Sequence, residues 1–239
     1  MLSTGKYHAR ALTDDAELAT ALALRARCFG PSGAVRDAFD EKCTHILVFN
    51  TDSGQLVCCF RMLTLQSNQI SSSYSAQFYD LGGLETYDGT MLELGRFCVD
   101  PDLTDPDILR VAWGAMTAYV DANAVRMLFG CSSFEGIDPA LYLDAFAQLK
   151  ARHLAPEHWR PQIKAPDVFD YAAQLHSTID AKKAMLQMPP LLRTYLMMGG
   201  WVSDHAVIDP QMNTLHVFTG LEIGAIPPAR KRLLRALVG

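Results

Sequence analysis

One acid and one base stand three residues apart in an otherwise apolar run, residues 91–99, of this 239-residue chain. Side chains alternate between the two faces of a strand, so Glu93 is expected to share a face with Gly95, and Arg96 to point the opposite way. A carboxylate in such a run is costly to bury unless it has a partner or a task. The task would be proton transfer, and the alternative is a structural ion pair or an edge-strand charge.

Apolar periodicity predicts the elements that must position this pair. The first helix is expected to begin after Thr13 as N-cap, and Asp105-Pro106, Asp138-Pro139 and Pro189-Pro190 predict the starts of later helices. Further strands are predicted at residues 7–11, 45–49, 56–65, 125–131, 202–208 and 214–218. This mixture of elements indicates an α/β or α+β fold.

Composition excludes several classes of function. A net charge of −5 argues against general nucleic-acid binding, and the six cysteines and seven histidines show no metal-ligand spacing. No apolar run reaches about 18 residues, and residues 1–17 lack the apolar core of a signal peptide. We therefore expect a cytoplasmic protein without a metal, either soluble or peripheral to the membrane.

The last ten residues of the chain are basic and contain no acid. Leucines are interleaved with the cations Arg230, Lys231, Arg232 and Arg235. This pattern is more commonly that of a solvated terminal helix, and its functional interpretation is a dock for an acidic protein or an anionic membrane surface.

Three stretches resemble the ornithine-acyl-carrier-protein N-acyltransferases, which begin ornithine-lipid synthesis. They are Leu92-Glu93-Leu94-Gly95-Arg96-Phe97-Cys98-Val99, Leu128-Phe129-Gly130-Cys131-Ser132-Ser133-Phe134-Glu135-Gly136 and Pro189-Pro190-Leu191-Leu192-Arg193-Thr194-Tyr195-Leu196. The resemblance implies the acetyltransferase (GNAT) fold, with a mixed, mostly antiparallel sheet flanked by helices. It also implies one acyltransferase domain over residues 1–239, with a family-specific extension from about residue 153.

The N-terminal half is also similar to the acyl-homoserine-lactone synthases. This chain lacks the Trp that the synthases have between the positions of Phe29 and Asp37, and its C-terminal half is unlike theirs. The positions that match the pattern are Arg25, Phe29, Asp37, Phe39, Asp40, Arg61, Glu93 and Arg96.

The resemblance implies transfer of a long-chain acyl group, with or without a 3-hydroxyl, from a thioester to the α-amine of ornithine. Glu93 would be the base that removes a proton from the amine. Arg25, Arg61, Arg96 or Arg193 would bind the substrate carboxylate, or else form structural salt bridges. Asp37 or Asp40 would bind the cationic side chain, or else order the loop after the first helix. The remaining residues expected at the substrate are Phe29, Ser132, Ser133 and Phe134.

The acyl donor is expected to be acyl carrier protein, with no cofactor beyond its acyl-phosphopantetheine. The segment from Arg96 to Asp105 lacks the glycine loop that binds a CoA pyrophosphate in acetyl-CoA users of this fold, and it is rich in acids. Acyl carrier proteins are acidic, so basic side chains would dock them. The expected docking residues are Arg152, Arg230, Lys231, Arg232 and Arg235.

Three alternatives stay open. The acceptor could be another amino acid, such as glutamine, lysine or glycine. The product could be an acyl-lactone signal. The chain could also be a lipid- or carrier-binding module without turnover, in which case a Glu93→Gln variant would bind its ligand unchanged.

Overall fold

The computed structural model describes residues 2–176 and 180–236, and every structural statement that follows concerns these residues. The strands are Leu2–Thr4 (β1), Tyr7–Ala11 (β2), Thr44–Asn50 (β3), Leu56–Leu65 (β4), Tyr79–Asp80 (β5), Thr90–Val99 (β6), Val125–Glu135 (β7), Gln162–Ile163 (β8), Val168–Phe169 (β9), Trp201–Val202 (β10), Ala206–Asp209 (β11) and Thr214–Glu222 (β12). The α-helices are Asp15–Phe29 (α1), Pro106–Ala122 (α2), Leu143–Arg152 (α3), Tyr171–Gln174 (α4), Ala181–Gln187 (α5), Pro190–Met197 (α6) and Pro228–Arg235 (α7).

The first of two compact units comprises residues 2–64, 92–125 and 227–236. Its strands follow the order β1, β2, β3, β4, β6, and the pairs from β1 to β4 are antiparallel. An apolar core joins α1 to these strands through Leu24, Leu47 and Cys59. Since burying such side chains stabilises a fold by about 1.5–3 kcal/mol each, this core holds α1 firmly against the strands that carry the candidate site.

The second unit comprises residues 65–91, 126–176 and 180–226. Its strands follow the order β7, β12, β11, β9, with β10 also pairing with β12, and these pairs are antiparallel. Strands β5 and β8 form a separate antiparallel pair. The core of this unit combines aliphatic and aromatic side chains, with Phe146 stacked on Tyr171 at 5.1 Å between ring centroids.

The structure confirms the α+β class with mostly antiparallel strands, and it corrects one cap. Asp14, not Thr13, is the N-cap of α1, because its side chain accepts a hydrogen bond from the Glu17 N–H at 2.9 Å. Thr13 instead donates its own N–H and hydroxyl to the Glu17 carboxylate. The single domain over residues 1–239 stays a prediction.

Candidate active site

Five charged side chains that the sequence singles out meet in the first unit. Helix α1 supplies Arg25, the loop after it supplies Asp37 and Asp40, β4 supplies Arg61, and β6 supplies Arg96. They form a continuous series of ion pairs, with three guanidinium groups facing two carboxylates. The excess positive charge favours an anion beside the cluster, either a protein carboxylate or that of a substrate.

Asp40 is the buried centre of this charge cluster. Its Oδ1 accepts from the Nη1 atoms of Arg25 at 2.7 Å and Arg61 at 2.8 Å, and its Oδ2 accepts from the Asp37 N–H at 3.0 Å. Burial raises the pKa of the Asp40 carboxyl, but these hydrogen bonds and charges outweigh it and lower the pKa to about 2. Asp40 and Arg25 therefore hold each other beneath the surface and have no solvent-facing edge for a substrate.

Asp37 forms the solvent-facing edge of the cluster, with its side chain 27% exposed. Arg61 binds both of its carboxylate oxygens, at 2.6 and 3.0 Å, and Arg96 donates Nη2 to Oδ2 at 3.2 Å. Burial acts to raise the pKa of Asp37, yet the bond and charge of Arg61 prevail and leave it below its ordinary value. The carboxylate is thus ionised near neutral pH, as a partner for a cationic substrate group must be.

Glu93 lies in β6 and is only 4% exposed. It faces the same neighbourhood as the charge cluster, since the half-buried Cys43 thiol is within electrostatic range of Glu93, Arg61, Asp40 and Asp37. Burial is the main reason that the pKa of Cys43 is raised to about 12, and the three carboxylates add to it while Arg61 opposes it. The candidate base and the charge cluster therefore both lie within electrostatic range of the Cys43 thiol.

The backbone of β6 departs from regular strand geometry at Arg96, whose φ is +53°. Left-handed conformation costs an L-residue with a side chain about 1–2 kcal/mol. A Cβ on Gly95 would lie 3.4 Å from Arg61 Nε, while Arg96 reaches Asp37, the partner of Arg61. The prediction that Arg96 points away from the Gly95 face is therefore wrong, because the positive φ interrupts the alternation.

Sequence reasoning missed His45, which is buried between Arg25 and Asp40. It lies in β3 directly opposite Arg61 of β4. Its one signal in the sequence is a polar residue at the start of an apolar strand. The predicted site residue Phe29 packs against the apolar core beneath α1.

The predicted substrate residues of the later stretches lie in the second unit. Ser132 accepts a hydrogen bond from the Thr219 hydroxyl at 2.9 Å, Ser133 is half-buried, and Phe134 packs in the core beside Phe146. Arg193 of α6 donates to the carbonyl of Met185 at 3.4 Å. Substrate contact by these residues stays a prediction. Phe134 is buried as a residue of the apolar core is.

The predicted docking residues are mostly on α7 in the first unit. Helix α7 packs on α2, where Arg235 donates Nε and Nη2 to Asp121 at 3.1 and 2.9 Å. Arg230 and Arg232 are exposed, and Arg152 is exposed at the end of α3 in the second unit. The terminal residues 237–239 of the predicted basic segment lie outside the described residues.

The acidic segment after β6 closes the N-terminus of α2. The Asp105 side chain accepts from the Asp107 N–H at 3.0 Å and binds Lys6 at 2.9 Å. Asp100 lies near the start of the segment and binds both terminal nitrogens of Arg27. Because the Asp105 carboxylate already accepts from a backbone N–H at the N-terminus of α2 and is itself negative, this helix end is a poor binding site for a pyrophosphate.

Within the described residues, none of the helices combines the length and hydropathy that crossing a membrane requires. Over the same part of the chain, no three His, Cys, Asp or Glu side chains are grouped so that they could hold a metal ion.

Comparison with known proteins gave matches of three kinds. The family model described as an acetyltransferase (GNAT) domain matches residues 27–114. The L-ornithine N(alpha)-acyltransferase of Rhodobacter capsulatus is 32% identical over 196 residues, which cover 80% of this chain and 75% of that protein. The protein of the same name from Brucella abortus is 32% identical over 200 residues, covering 80% and 70%.

Among solved structures, the loading GNATL domain of CurA from Lyngbya majuscula matches with a TM-score of 0.54. The identity is 14%, and the match covers 92% of this chain and 99% of that chain. A likeness at this identity concerns the fold alone, and it agrees with the GNAT fold that the sequence resemblance implies.

Proposed function

The chain belongs to the L-ornithine N(alpha)-acyltransferase family and is an acyltransferase, and we propose that it acylates the α-amine of ornithine. The donor is a fatty acyl group, 3-hydroxylated or not, carried as a thioester on acyl carrier protein, and the product is lyso-ornithine lipid. The observation that carries the proposal is the 32% identity to the Rhodobacter capsulatus enzyme over 80% of the chain.

The proposed chemistry begins with loss of a proton from the substrate ammonium. An α-amine is largely protonated near pH 7 and attacks only when neutral. Glu93 takes this proton, the amine nitrogen forms a bond to the thioester carbonyl carbon, and the carbon–sulfur bond breaks. As the amide forms, the nitrogen loses a second proton and the leaving pantetheine thiolate takes up one, so the products are the amide, the free thiol and the proton held by Glu93.

Ornithine is held, in this proposal, by the exposed edge of the charge cluster. Asp37 binds the side-chain ammonium, and Arg96 binds the carboxylate as a guanidinium suits it to do. Asp40, Arg25 and Arg61 lie beneath them and fix their positions. The support for this assignment is burial, since Asp37 is partly exposed while Asp40 is not.

The capped N-terminus of α2 supports a carrier-protein donor over free acyl-CoA. The Asp105 carboxylate occupies the helix N-terminus that would otherwise bind a pyrophosphate. A carrier protein presents its pantetheine without that group and adds an acidic surface. We assign docking to the basic side chains of α7, and place the reaction in the cytoplasm.

The test is incubation of the purified full chain with acyl carrier protein loaded with unsubstituted or 3-hydroxylated chains, and with free acyl-CoA of the same chains for comparison. Each donor is paired with ornithine, lysine, glutamine or glycine, and products are identified by mass. We expect an N-acyl product with ornithine and little with glutamine or glycine, which lack a cationic side chain. A lactone product, or equal use of all acceptors, would contradict the proposal, and so would equal rates with free acyl-CoA.

A further inference from the structure

Both ring nitrogens of His45 are engaged inside the charge cluster. Nδ1 lies 3.1 Å from Arg25 Nη2, and Nε2 lies 2.8 Å from the backbone carbonyl oxygen of Asp40. The side chain is buried, 5% exposed, so these two contacts are not shared with bulk solvent.

The partners determine where the imidazole carries its proton. A guanidinium donates hydrogen bonds and cannot accept them, so Nδ1 must be the acceptor from Arg25. A carbonyl oxygen accepts only, so Nε2 must carry the hydrogen that it donates to Asp40. His45 is therefore neutral, in the Nε2–H tautomer.

Arg25 depends on this arrangement for its orientation. Its Nη1 donates to Asp40 and its Nη2 to His45, while its Nε has no hydrogen-bond partner among the described residues. Asp40 holds the guanidinium at one end, and the buried Cys59 thiol also interacts with the group. The imidazole fixes the other end, and so fixes the plane of the group.

The contacts then lead outward to the edge where ornithine is proposed to bind. Arg25 shares the Oδ1 atom of Asp40 with Arg61, and Arg61 in turn binds both oxygens of Asp37. Asp37 receives Arg96 at 3.2 Å. A change in the orientation of Arg25 would therefore move the carboxylate and the guanidinium that face the substrate.

We propose that His45 is a positioning residue of the amino-acid site, which orients Arg25 through Nδ1 and thereby places Asp37 and Arg96 for ornithine. The inference rests on the proposed function, since it assigns ornithine to this edge. It goes beyond the family resemblance, in which His45 has no part.

A merely structural role would use the other nitrogen. In that case His45 would tether the loop before β3 through Nε2 and the Asp40 carbonyl, and Arg25 would be incidental. Two substitutions separate the roles. His45→Asn places an amide oxygen near the position of Nδ1 and retains the acceptor for Arg25, whereas His45→Gln places an amide N–H near the position of Nε2 and retains the tether.

The experiment measures ornithine binding by calorimetry and KM for ornithine and for the acyl carrier protein donor, on the full chain. We expect His45→Gln and His45→Leu to weaken ornithine binding by about tenfold, the effect of one hydrogen bond to a charged group. We expect His45→Asn to stay close to wild type. The donor KM is expected to be the same in all variants.

The pH dependence of the wild-type protein provides a second measurement that needs no variant to fold. The charged groups facing the imidazole are Arg25 from α1, Asp40 from the preceding loop and Arg61 from β4. Burial and the two arginines hold the pKa of His45 below its ordinary value, against the opposing effect of Asp40. Ornithine binding is therefore expected to weaken only at a pH below the ordinary pKa of histidine, where protonation of the buried imidazole removes the acceptor. The His45→Asn variant is expected to lack this weakening.

Two results would overturn the inference while leaving the proposed function intact. One is that wild type acylates ornithine and His45→Leu binds ornithine as tightly. The other is that His45→Gln binds ornithine better than His45→Asn does. A wild-type protein that neither binds nor acylates ornithine would instead overturn the proposed function and the inference with it.

Discussion

Asp37 and Asp40 carry the same functional group three residues apart, and their surroundings give them different tasks. Asp40 has a fully buried side chain that receives two guanidinium groups and one backbone N–H. Asp37 keeps an exposed edge beside Arg96. An ion that is buried and fully satisfied fixes geometry, whereas one with an open edge can still bind a partner.

Replacing Asp37 by Asn is therefore expected to weaken recognition of the ornithine side chain. Loss of a charged hydrogen bond is worth about 1.5–3 kcal/mol, which is about tenfold or more in KM for ornithine. For norvaline, which has the same length without the ammonium, KM is expected to change little. Steady-state kinetics with both acceptors check this.

The matched control for this prediction is Asp52→Asn. It makes the same chemical change at an exposed position in the turn between β3 and β4. It is expected to leave both KM values at the wild-type level. An Asp37→Asn variant that loses both acceptors equally would show that Asp37 does not bind the ammonium.

The sequence pattern identified most charged members of the site and missed its geometry. Arg25, Asp37, Asp40, Arg61 and Arg96 could be named because their types and order match a known pattern. His45 could not be named, because its neighbours Arg25 and Arg61 come from α1 and β4 and reach it only in the folded protein. Separating the buried Asp40 from the exposed Asp37 likewise requires the folded loop.

At the scale of elements, the left-handed residue in β6 gives a prediction about stability. Gly adopts positive φ without a steric cost, whereas Ala there pays about 1–2 kcal/mol. Both Arg96→Gly and Arg96→Ala lose the ion pair with Asp37, so comparing them isolates the backbone. Arg96→Gly is expected to be more stable by about 1 kcal/mol in urea unfolding, and an equal or lower stability would show that the strand relaxes to ordinary geometry.

Helix α7 is the element proposed to dock the carrier protein. Arg232→Glu is expected to weaken binding of acyl carrier protein about fivefold, as an exposed ion pair is worth up to about 1 kcal/mol, and the effect should diminish with added salt. Calorimetry or surface plasmon resonance measures it. Arg235 is a poor choice for this test because it already binds Asp121.

The control for α7 is Arg110→Glu, which reverses an exposed charge on α2 that pairs with Asp107 one turn away on the same helix. It is expected to keep wild-type carrier affinity. Equal loss in both variants would indicate a general charge effect and not docking through α7. Loss of binding to anionic vesicles in place of carrier protein would instead assign the helix to the membrane surface.

Two of the three proline signals predicted the start of an α-helix, since α2 begins at Pro106 and α6 at Pro190. Asp138-Pro139 begins a 3-10 turn instead, and α3 follows from Leu143. Asp105-Pro106 is an N-cap followed by proline at the first helical position, and α2 begins there as expected. At α1, two adjacent polar residues compete for the cap, and only the folded chain shows that Asp14 takes it. The short helices and strands between residues 153 and 187 were not predictable, since their contacts are with distant elements.

At the scale of the whole molecule, buried titratable groups predict how stability depends on pH. Burial lowers the pKa of His216, in the second unit, to about 3. The unfolded chain takes up this proton below about pH 6.5 and the folded chain does not, so stability is lost as pH falls from 6.5 towards 3. Asp40 and Glu17, each with a pKa lowered to about 2, add a further loss below about pH 4.

Urea unfolding between pH 7 and 4 measures the first of these effects. One proton contributes a slope of about 1.4 kcal/mol per pH unit, and His216→Phe is expected to reduce the slope by about that amount. The exposed His176→Gln variant is expected to keep it. An unchanged slope in His216→Phe would mean that His216 is protonated in the folded protein.

The most direct test of the account is a single-turnover reaction of wild type and Glu93→Gln with acyl carrier protein donor and saturating ornithine, with the product measured by mass. We expect α-N-acylornithine from wild type and a rate at least about 100-fold lower in Glu93→Gln, the contribution expected of a general base, with unchanged urea unfolding. Equal rates, or acylation of the side-chain amine instead of the α-amine, would contradict it.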